Sequence, residues 1–309
     1  MKTSSPIDLS LLPAPEAIEE VNFEQILAER KSALLQQVPP ELRPGIQVAI
    51  DMDSEPLAML LQENSYREML LRERINERVR RVLLAFAKRS DLDHIAARYY
   101  IERLVVQQED LTANPPKPLI MESDEALRER IQDAYEGLST AGPRGAYVFH
   151  ARSADGRVVD ALAVSPEPCD IVVYVLSSEG DGTASPELLS VVFDALNDEE
   201  IRPVGDRLTV LSSQIVRYSV QATLTLKSSG PGGELALAEA VNNIKKYVSR
   251  RKRQGQPVWR NFLEHLMYVE GVEHVSLHQP PTDLLLTAAQ AGCCVEVDIN
   301  LLDPPGTGA

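Results

Sequence analysis

Cysteine, aromatic side chains and long apolar runs are all scarce in this sequence of 309 residues. The three cysteines, Cys169, Cys293 and Cys294, are too few for a disulfide framework. The adjacent pair would alternate across a strand and therefore suits neither a disulfide nor a zinc site. No segment approaches the roughly 18 apolar residues of a membrane span, and the N-terminus lacks a signal-peptide core. We therefore expect a soluble chain that is made in the cytoplasm and has no membrane span.

Basic charge is also in short supply. The formal net charge is −15, and acidic residues outnumber basic ones in both halves of the chain. The arginines between residues 67 and 89 are interleaved with glutamates, so a solvated, salt-bridged face is favoured there. General attraction to nucleic acid or to an anionic membrane surface is not expected.

Hydrophobic residues make up 44% of the chain, which is enough for a real core in two domains or in one domain with an arm. The first third is predicted to be helical. A first helix fits residues 16–38 and ends at Pro39–Pro40, and a second starts near Ser54 and runs towards Arg89. A third helix is predicted over residues 92–105, after a capping-type Ser90.

The second helix has a narrow apolar stripe with steps of three and four residues. We call it the seam; it consists of Leu71, Ile75, Val79, Val82 and Phe86. Three acid-first pairs at the favourable spacing of four residues accompany it: Glu63/Arg67, Glu68/Arg72 and Glu77/Arg81. A long helix with so thin a seam requires other helices. Periodicity alone favours a bundle within the chain over an arm that binds partners.

Strands and helices alternate in the second half. Residues 123–138 are predicted to be a helix that Ser123 can cap. The runs 158–164 and 170–177 are predicted strands, and Ser185 with Pro186 marks a helix start. The predicted fold class is α+β, with a helical N-terminal arm followed by two small β-α-β modules of the split, ferredoxin-like type. The predicted parts are a helical arm at 1–105, a proline-rich linker at 106–122, a helix and β joint at 123–168, a first β-α-β module at 169–215, a second α/β module at 216–303 and a disordered tail at 304–309.

No catalytic, cofactor-binding or metal-binding residue is predicted, and no cofactor. The five histidines show no metal-ligand spacing. The glycine-rich loops at 180–182 and 230–233 lack the Walker lysine and the G-x-G-x-x-G pattern, so turn chemistry is the preferred interpretation. An enzyme is not expected.

The clearest positive feature is a basic run near the end of a predicted helix at 235–252. Its cations Lys245, Lys246, Arg250, Arg251 and Arg253 complement the negative pole of the helix. Two interpretations are equally supported. One is a solvated helix end, and the other is a contact with an acidic neighbour such as another copy of this acidic chain.

Several segments, in a fixed order, resemble the baseplate J-like proteins of contractile-tailed phages and related tail-like particles. They are LRERIQDAYEGLSTAGPRGAYVFHARSAD, RVVDALAVSPEP, DIVVYVLSSEGDGTASPELL, IRPVGDRLTV, YSVQATLTL and VEGVEHVSL. The resemblance covers about Glu122 to Leu301, and such a multi-part match is more specific than any single short motif.

The resemblance implies a structural, non-enzymatic wedge subunit of a baseplate, located in a virion or tail-like particle. It implies N-terminal helices that bundle with other wedge proteins, so that the seam becomes an interface. It further implies two copies per wedge, with C-terminal modules that link wedges into a ring around the hub, near the sheath and the central spike. Two alternatives stay open: a baseplate component of a contractile secretion or injection machine, and a ligand-binding α/β protein or hydrolase that uses the 180–182 loop.

Overall fold

The chain forms two compact units in a computed structural model, which describes residues 7, 9, 12, 13, 15–139, 143–227 and 232–302. The first unit ends at Glu102 and the second begins at Arg103. The predicted disordered tail at 304–309 lies outside the described residues, as does part of the predicted 230–233 loop.

The first unit is helical, as expected. Its helices are α1 (Phe23–Gln37), α2 (Arg43–Asp51), α3 (Pro56–Val82) and α4 (Ser90–Ala97). The Asn22 side chain caps α1 by accepting from the backbone N–H groups of Glu24 and Gln25. Pro56 occupies the first turn of α3, where its missing N–H costs nothing. Helix α2 was not predicted from the sequence. Pro39–Pro40 indicates a break, and Pro44 fits a helix only because it lies in the first turn.

Two of these helices end earlier than predicted. Helix α3 stops at Val82, so Phe86 lies in the turn that follows rather than on the helix. Helix α4 stops at Ala97 because Tyr100 adopts a positive φ of 59°. The N–H of Ile101 then bonds to the carbonyl of Ala96, and that of Tyr100 to Ala97, which is a Schellman ending. Glycine usually marks such an ending, so a tyrosine there gives no sequence signal.

The segment predicted as a linker is folded. Strands β1 (Val105–Gln107) and β2 (Ile120–Met121) pair antiparallel, and Asp110 bridges to Lys117 between them. The Asp110 carboxylate accepts from the N–H and the hydroxyl of Thr112, which fixes the turn. Helices α5 (Asp124–Asp133) and α6 (Arg144–Ala154) follow, and Ser123 caps α5 as predicted.

The first α/β module contains a three-stranded sheet in the order β3-β4-β5. Its elements are β3 (Val158–Val164), β4 (Asp170–Ser177), α7 (Pro186–Leu196) and β5 (Arg207–Ser212). Strands β4 and β5 are parallel and joined through α7, so the predicted β-α-β unit is present. Ser185 caps α7, and Leu188, Val192 and Leu196 are buried against the sheet.

The second module contains a three-stranded sheet in the order β7-β6-β8. Its elements are β6 (Gln214–Leu226), α8 (Gly232–Arg251), α9 (Arg260–Met267), β7 (Val272–Gln279) and β8 (Gln290–Leu302). Alternate residues of β6, from Tyr218 to Leu226, are buried, and Ala240, Ile244 and Leu263 from the helices join the same core.

The connection from β6 to β7 differs from a β-α-β unit, because these strands are antiparallel and the parallel neighbour of β6 is β8. In a β-α-β unit one helix runs back along the sheet, so the next strand starts at the same end as the first and is parallel to it. Here two helices follow one another, so the chain enters β7 at the opposite end and β7 runs antiparallel to β6. The ferredoxin-like detail of the predicted fold is not confirmed by these sheets. The coarser prediction, a helical region followed by small mixed sheets, is confirmed.

Candidate assembly interface

The seam lies on the outside of the helical unit. Leu71 is 54% exposed, Ile75 51% and Val82 70%, while Val79 is half-buried and Phe86 is exposed in the turn after the helix. At about 100° per residue, Leu71, Ile75 and Val82 share one side of α3. The structure therefore brings three of the five predicted seam residues together as an outward apolar stripe.

The inward side of α3 is built from small and polar residues. Its buried members are Ala58, Ser65 and Asn76. The Asn76 side chain donates to the Glu19 carbonyl at 2.8 Å and accepts from the Glu19 N–H at 3.1 Å. Ser65 donates its hydroxyl to the Leu61 carbonyl. The helix thus buries small and polar side chains fully, whereas its large apolar residues are only half-buried or exposed.

A second outward apolar stripe was not predicted from the sequence. Met59, Tyr66 and Leu70 are exposed and lie on a different side of α3 from the seam. Their spacing of seven and four residues is as regular as that of the seam. It gives a weaker sequence signal, because it is short and because glutamates lie between its members.

Charged pairs fasten the remaining surface of the helical unit. All three predicted acid-first pairs of α3 are formed, with 2.6 Å between Arg72 and Glu68 and between Arg81 and Glu77. Glu68 also accepts from Arg30 of α1, and this hydrogen bond, with that of Arg72, lowers the pKa of the Glu68 carboxyl. The carboxylate therefore stays ionised across the physiological range and joins α1 to α3.

The basic run of the second module is divided between two roles. Lys245, Lys246 and Arg250 are exposed on α8. Arg251 lies over the Tyr247 ring, 5.4 Å from its centroid, and donates to the Gln256 side chain at 2.7 Å. Arg253 lies beyond the helix and is engaged inside the unit. The structure therefore leaves three of the five predicted cations available to a partner.

Arg253 and the following residue fasten the second module to the first. Arg253 donates to both carboxylate oxygens of Glu129 on α5, at 2.8 and 2.9 Å, and to the Val159 carbonyl of β3. The Gln254 N–H donates to Asp160 of β3 at 3.0 Å, and its side chain donates to the Tyr174 carbonyl. Burial raises the pKa of Asp160, although Arg253 and the Gln254 N–H oppose this.

Arg152 of α6 extends this tie. It donates to Glu129 at 2.7 Å and to Asp133 at 3.1 Å. Burial raises the pKa of Asp133 to about 6, because the desolvation of its carboxylate outweighs the attraction of Arg152. We call Glu129, Asp133, Arg152, Asp160, Arg253 and Gln254 the inter-module tie.

A separate buried ion pair holds the β1–β2 hairpin. Arg130 of α5 donates to the two carboxylate oxygens of Glu122 at 2.8 and 2.7 Å, and both side chains are almost fully buried. Glu122 also accepts from the Leu104 N–H. The sequence gives no signal for the pair or the tie, since their members are 8 to 124 residues apart and resemble ordinary surface charges.

The 180–182 loop forms a turn that its own residues stabilise. Gly180 and Gly182 have φ values of 53° and 109°, which favour glycine. The Asp181 carboxylate accepts from Arg217 at 2.6 Å and from Thr183, and the Arg217 bond is the largest cause of its lowered pKa. Among residues described by the structure, no group of three or more acidic, histidine or cysteine side chains is arranged to hold a metal ion. In that same part of the chain, no helix combines the length and apolar character needed to cross a membrane.

These features define a class of protein that builds assemblies: its apolar stripes face outward, and its polar clusters tie the chain to itself. Comparison with known proteins gives the family. The Baseplate J-like N-terminal domain matches residues 53–110, and the Baseplate J-like central domain matches residues 139–212. The chain is 46% identical over 290 residues to baseplate protein J of Escherichia phage P2, which covers 94% of this chain and 96% of the relative.

The chain belongs to the baseplate J-like family. It is a phage baseplate protein, a structural component of the virion tail. The family match includes the part of the helical unit from residue 53 onward and so extends beyond the Glu122–Leu301 region in which the sequence resemblance was recognised.

Proposed function

We propose that this protein is a wedge subunit of the baseplate, with its helical arm bundled against other wedge proteins and its C-terminal modules linking wedges into a ring around the hub. The predicted division into an arm at 1–105, a helix and β joint at 123–168, modules at 169–215 and 216–303 and a tail at 304–309 belongs to this proposal, with the 106–122 segment folded as the β1–β2 hairpin between arm and joint. Two copies per wedge, contacts near the sheath and hub, and the absence of an enzymatic activity are parts of it as well.

The observation that carries the bundling part is the outward position of the seam. Leu71, Ile75 and Val82 are each at least half exposed, whereas the inward side of α3 is small and polar. Exposed apolar stripes on a long helix are a common site of helix–helix association. The second stripe, formed by Met59, Tyr66 and Leu70, offers another side of the same helix, which suits a bundle of three or more helices.

The linking part is supported by the construction of the second unit. Each module has its own buried core, and the inter-module tie joins the two through charged hydrogen bonds. Such a unit can transmit force as one block between neighbours. Its exposed cations on α8 provide one side of a contact between acidic subunits.

The test is co-expression with the neighbouring wedge proteins, followed by size-exclusion chromatography. The variant I75E/V79K/V82E should lose the complex entirely, because it places charges in an apolar contact. Circular dichroism should show that the second unit stays folded. The control E41K/K88E changes two exposed charges that lie outside α3, leaves the net charge unchanged and should retain the complex.

A wild-type chain that elutes alone at every ratio of partners would contradict the wedge proposal. Unchanged assembly of the triple variant would show that the seam is not the contact, even if the chain joins a wedge by another surface.

A further inference from the structure

Helices α8 and α9 form an exposed surface that is basic and aromatic, in a chain whose net charge is −15. We call it the α8–α9 surface; it consists of Lys246, Arg250, Trp259, Phe262 and His265, all of which are exposed. Phe262 packs against Tyr247 of α8, with 4.9 Å between ring centroids, and its ring lies 6.2 Å from that of His265. These contacts place the aromatic side chains of α9 beside α8.

Helical spacing puts the two cations on the flank of α8 that faces α9. Asn243 and Tyr247 mark the side of α8 that faces α9, since Asn243 donates to the Leu266 carbonyl and Tyr247 contacts Phe262. Lys246 and Arg250 are three residues further along the helix from them and so share that side. Neither cation forms an ion pair with another described residue.

A surface of the opposite kind lies at the C-terminal end of α7. We call it the α7 end; it consists of Val191, Asp194, Asp198, Glu199 and Glu200, all of which are exposed. The last turn of α7 contains no basic residue. None of the four carboxylates pairs with a cation in the described part of the chain. Because the C-terminal end of a helix is its negative pole, the charge that balances these carboxylates has to come from outside the helix.

The two surfaces are separated within one chain. Helix α7 begins just after the 180–182 loop, to which Lys252 donates at the Gly180 carbonyl, close to the end of α8. The helix has 11 residues, so its far end lies about 16 Å along its axis from that contact. At physiological ionic strength the screening length is about 8 Å, and no ion pair among the described residues joins the two surfaces within one chain.

We propose that the α8–α9 surface of one copy binds the α7 end of a second copy. The inference rests on the proposed ring-linking role of the C-terminal modules and names the two surfaces that meet. Charge complementarity sets the pairing, and the exposed aromatic and apolar residues on both sides supply the buried area. Because two different surfaces meet, the contact is heterologous and can repeat from copy to copy around a ring.

A charge swap tests the pairing on the full-length chain, with self-association followed by sedimentation velocity at low ionic strength. Wild-type protein should self-associate, and added salt should weaken the association. The variant K246E/R250E makes the α8–α9 surface acidic, and D194K/E199K makes the α7 end basic. Each variant alone should associate at least about tenfold more weakly than wild type, because like charges then face each other.

An equimolar mixture of the two variants should associate again, because the basic α7 end of one matches the acidic α8–α9 surface of the other. The control K227E/K245E has the same change of net charge as K246E/R250E, with Lys245 on the other flank of α8, and should behave as wild type. Wild-type protein that stays monomeric up to its solubility limit, or variants that associate like wild type, or a mixture that fails to associate, would overturn the pairing.

Binding to the other wedge proteins is measured separately from self-association. Retention of the wedge-protein complex by K246E/R250E, together with loss of self-association, supports the pairing described here. Loss of the wedge complex as well would show that the α8–α9 surface serves the other wedge proteins and would overturn the pairing between copies.

Discussion

The helical unit and the α/β unit of this protein use their apolar residues in opposite ways. In the helical unit, α3 buries Ala58, Ser65 and Asn76 and leaves Leu71, Ile75 and Val82 outside. In the α/β unit, large apolar side chains such as Leu188, Leu224 and Ile244 are fully buried, and charged groups lie between the packed elements. The α/β unit therefore closes its large apolar residues into its own core, whereas the helical unit leaves several of them exposed on α3.

The largest expected effect comes from breaking the buried Glu122–Arg130 pair. The substitution Arg130→Met leaves the Glu122 carboxylate buried without its partner, which should lower the free energy of unfolding of the α/β unit by about 3–5 kcal/mol. The double variant E122M/R130M should recover much of this loss, because an apolar pair of similar size needs no counter-charge. Urea unfolding followed by the fluorescence of Trp259, the single tryptophan, reports on this unit. Equal stability of R130M and wild type would show that the pair does not hold the hairpin.

The next effect compares the same substitution in the two units. Leu224→Ala opens a cavity in a fully buried position and should lower the free energy of unfolding by about 2–5 kcal/mol. Leu71→Ala removes an exposed side chain and should change the stability of the isolated chain by less than about 0.5 kcal/mol. Circular dichroism at 222 nm during urea unfolding covers both units. A large loss for Leu71→Ala in the free chain would mean that the seam belongs to an internal core.

A smaller, pH-dependent effect is expected at the inter-module tie. The pKa of Asp133 is raised to about 6, so the folded state holds a proton there that the unfolded state has released above its ordinary pKa near 3.8. Its contribution to stability therefore falls as pH rises from about 4 to about 6 and is constant above that, with a total of roughly 2–3 kcal/mol.

Asp133→Asn removes this titration. Relative to D133N, the free energy of unfolding of the wild type should fall across the same interval and stay constant above it. Urea unfolding at a series of pH values measures it. A difference that does not depend on pH would mean that the pKa of Asp133 is the same in the folded and unfolded states.

Local patterns in the sequence were sufficient for most elements of the second unit. The bounds of β3 and β4 were predicted to the residue, and the caps at Ser123 and Ser185 were predicted correctly. Alternation and capping depend on neighbours within a few residues, so they can be read from the chain itself. The antiparallel direction of β7 was missed, because it depends on how two successive helices pack and not on any local pattern.

The candidate interface was likewise predicted only in part from the sequence. Helical spacing identified the seam and the acid-first pairs of α3, because both follow from the 3.6-residue turn. Only the tertiary structure decided that the seam faces outward, that Arg253 is engaged with Glu129, and that Arg130 and Glu122 are buried together. A single sequence does not record which distant charges meet or which side of a helix its neighbours cover, since both depend on the packing of the whole unit.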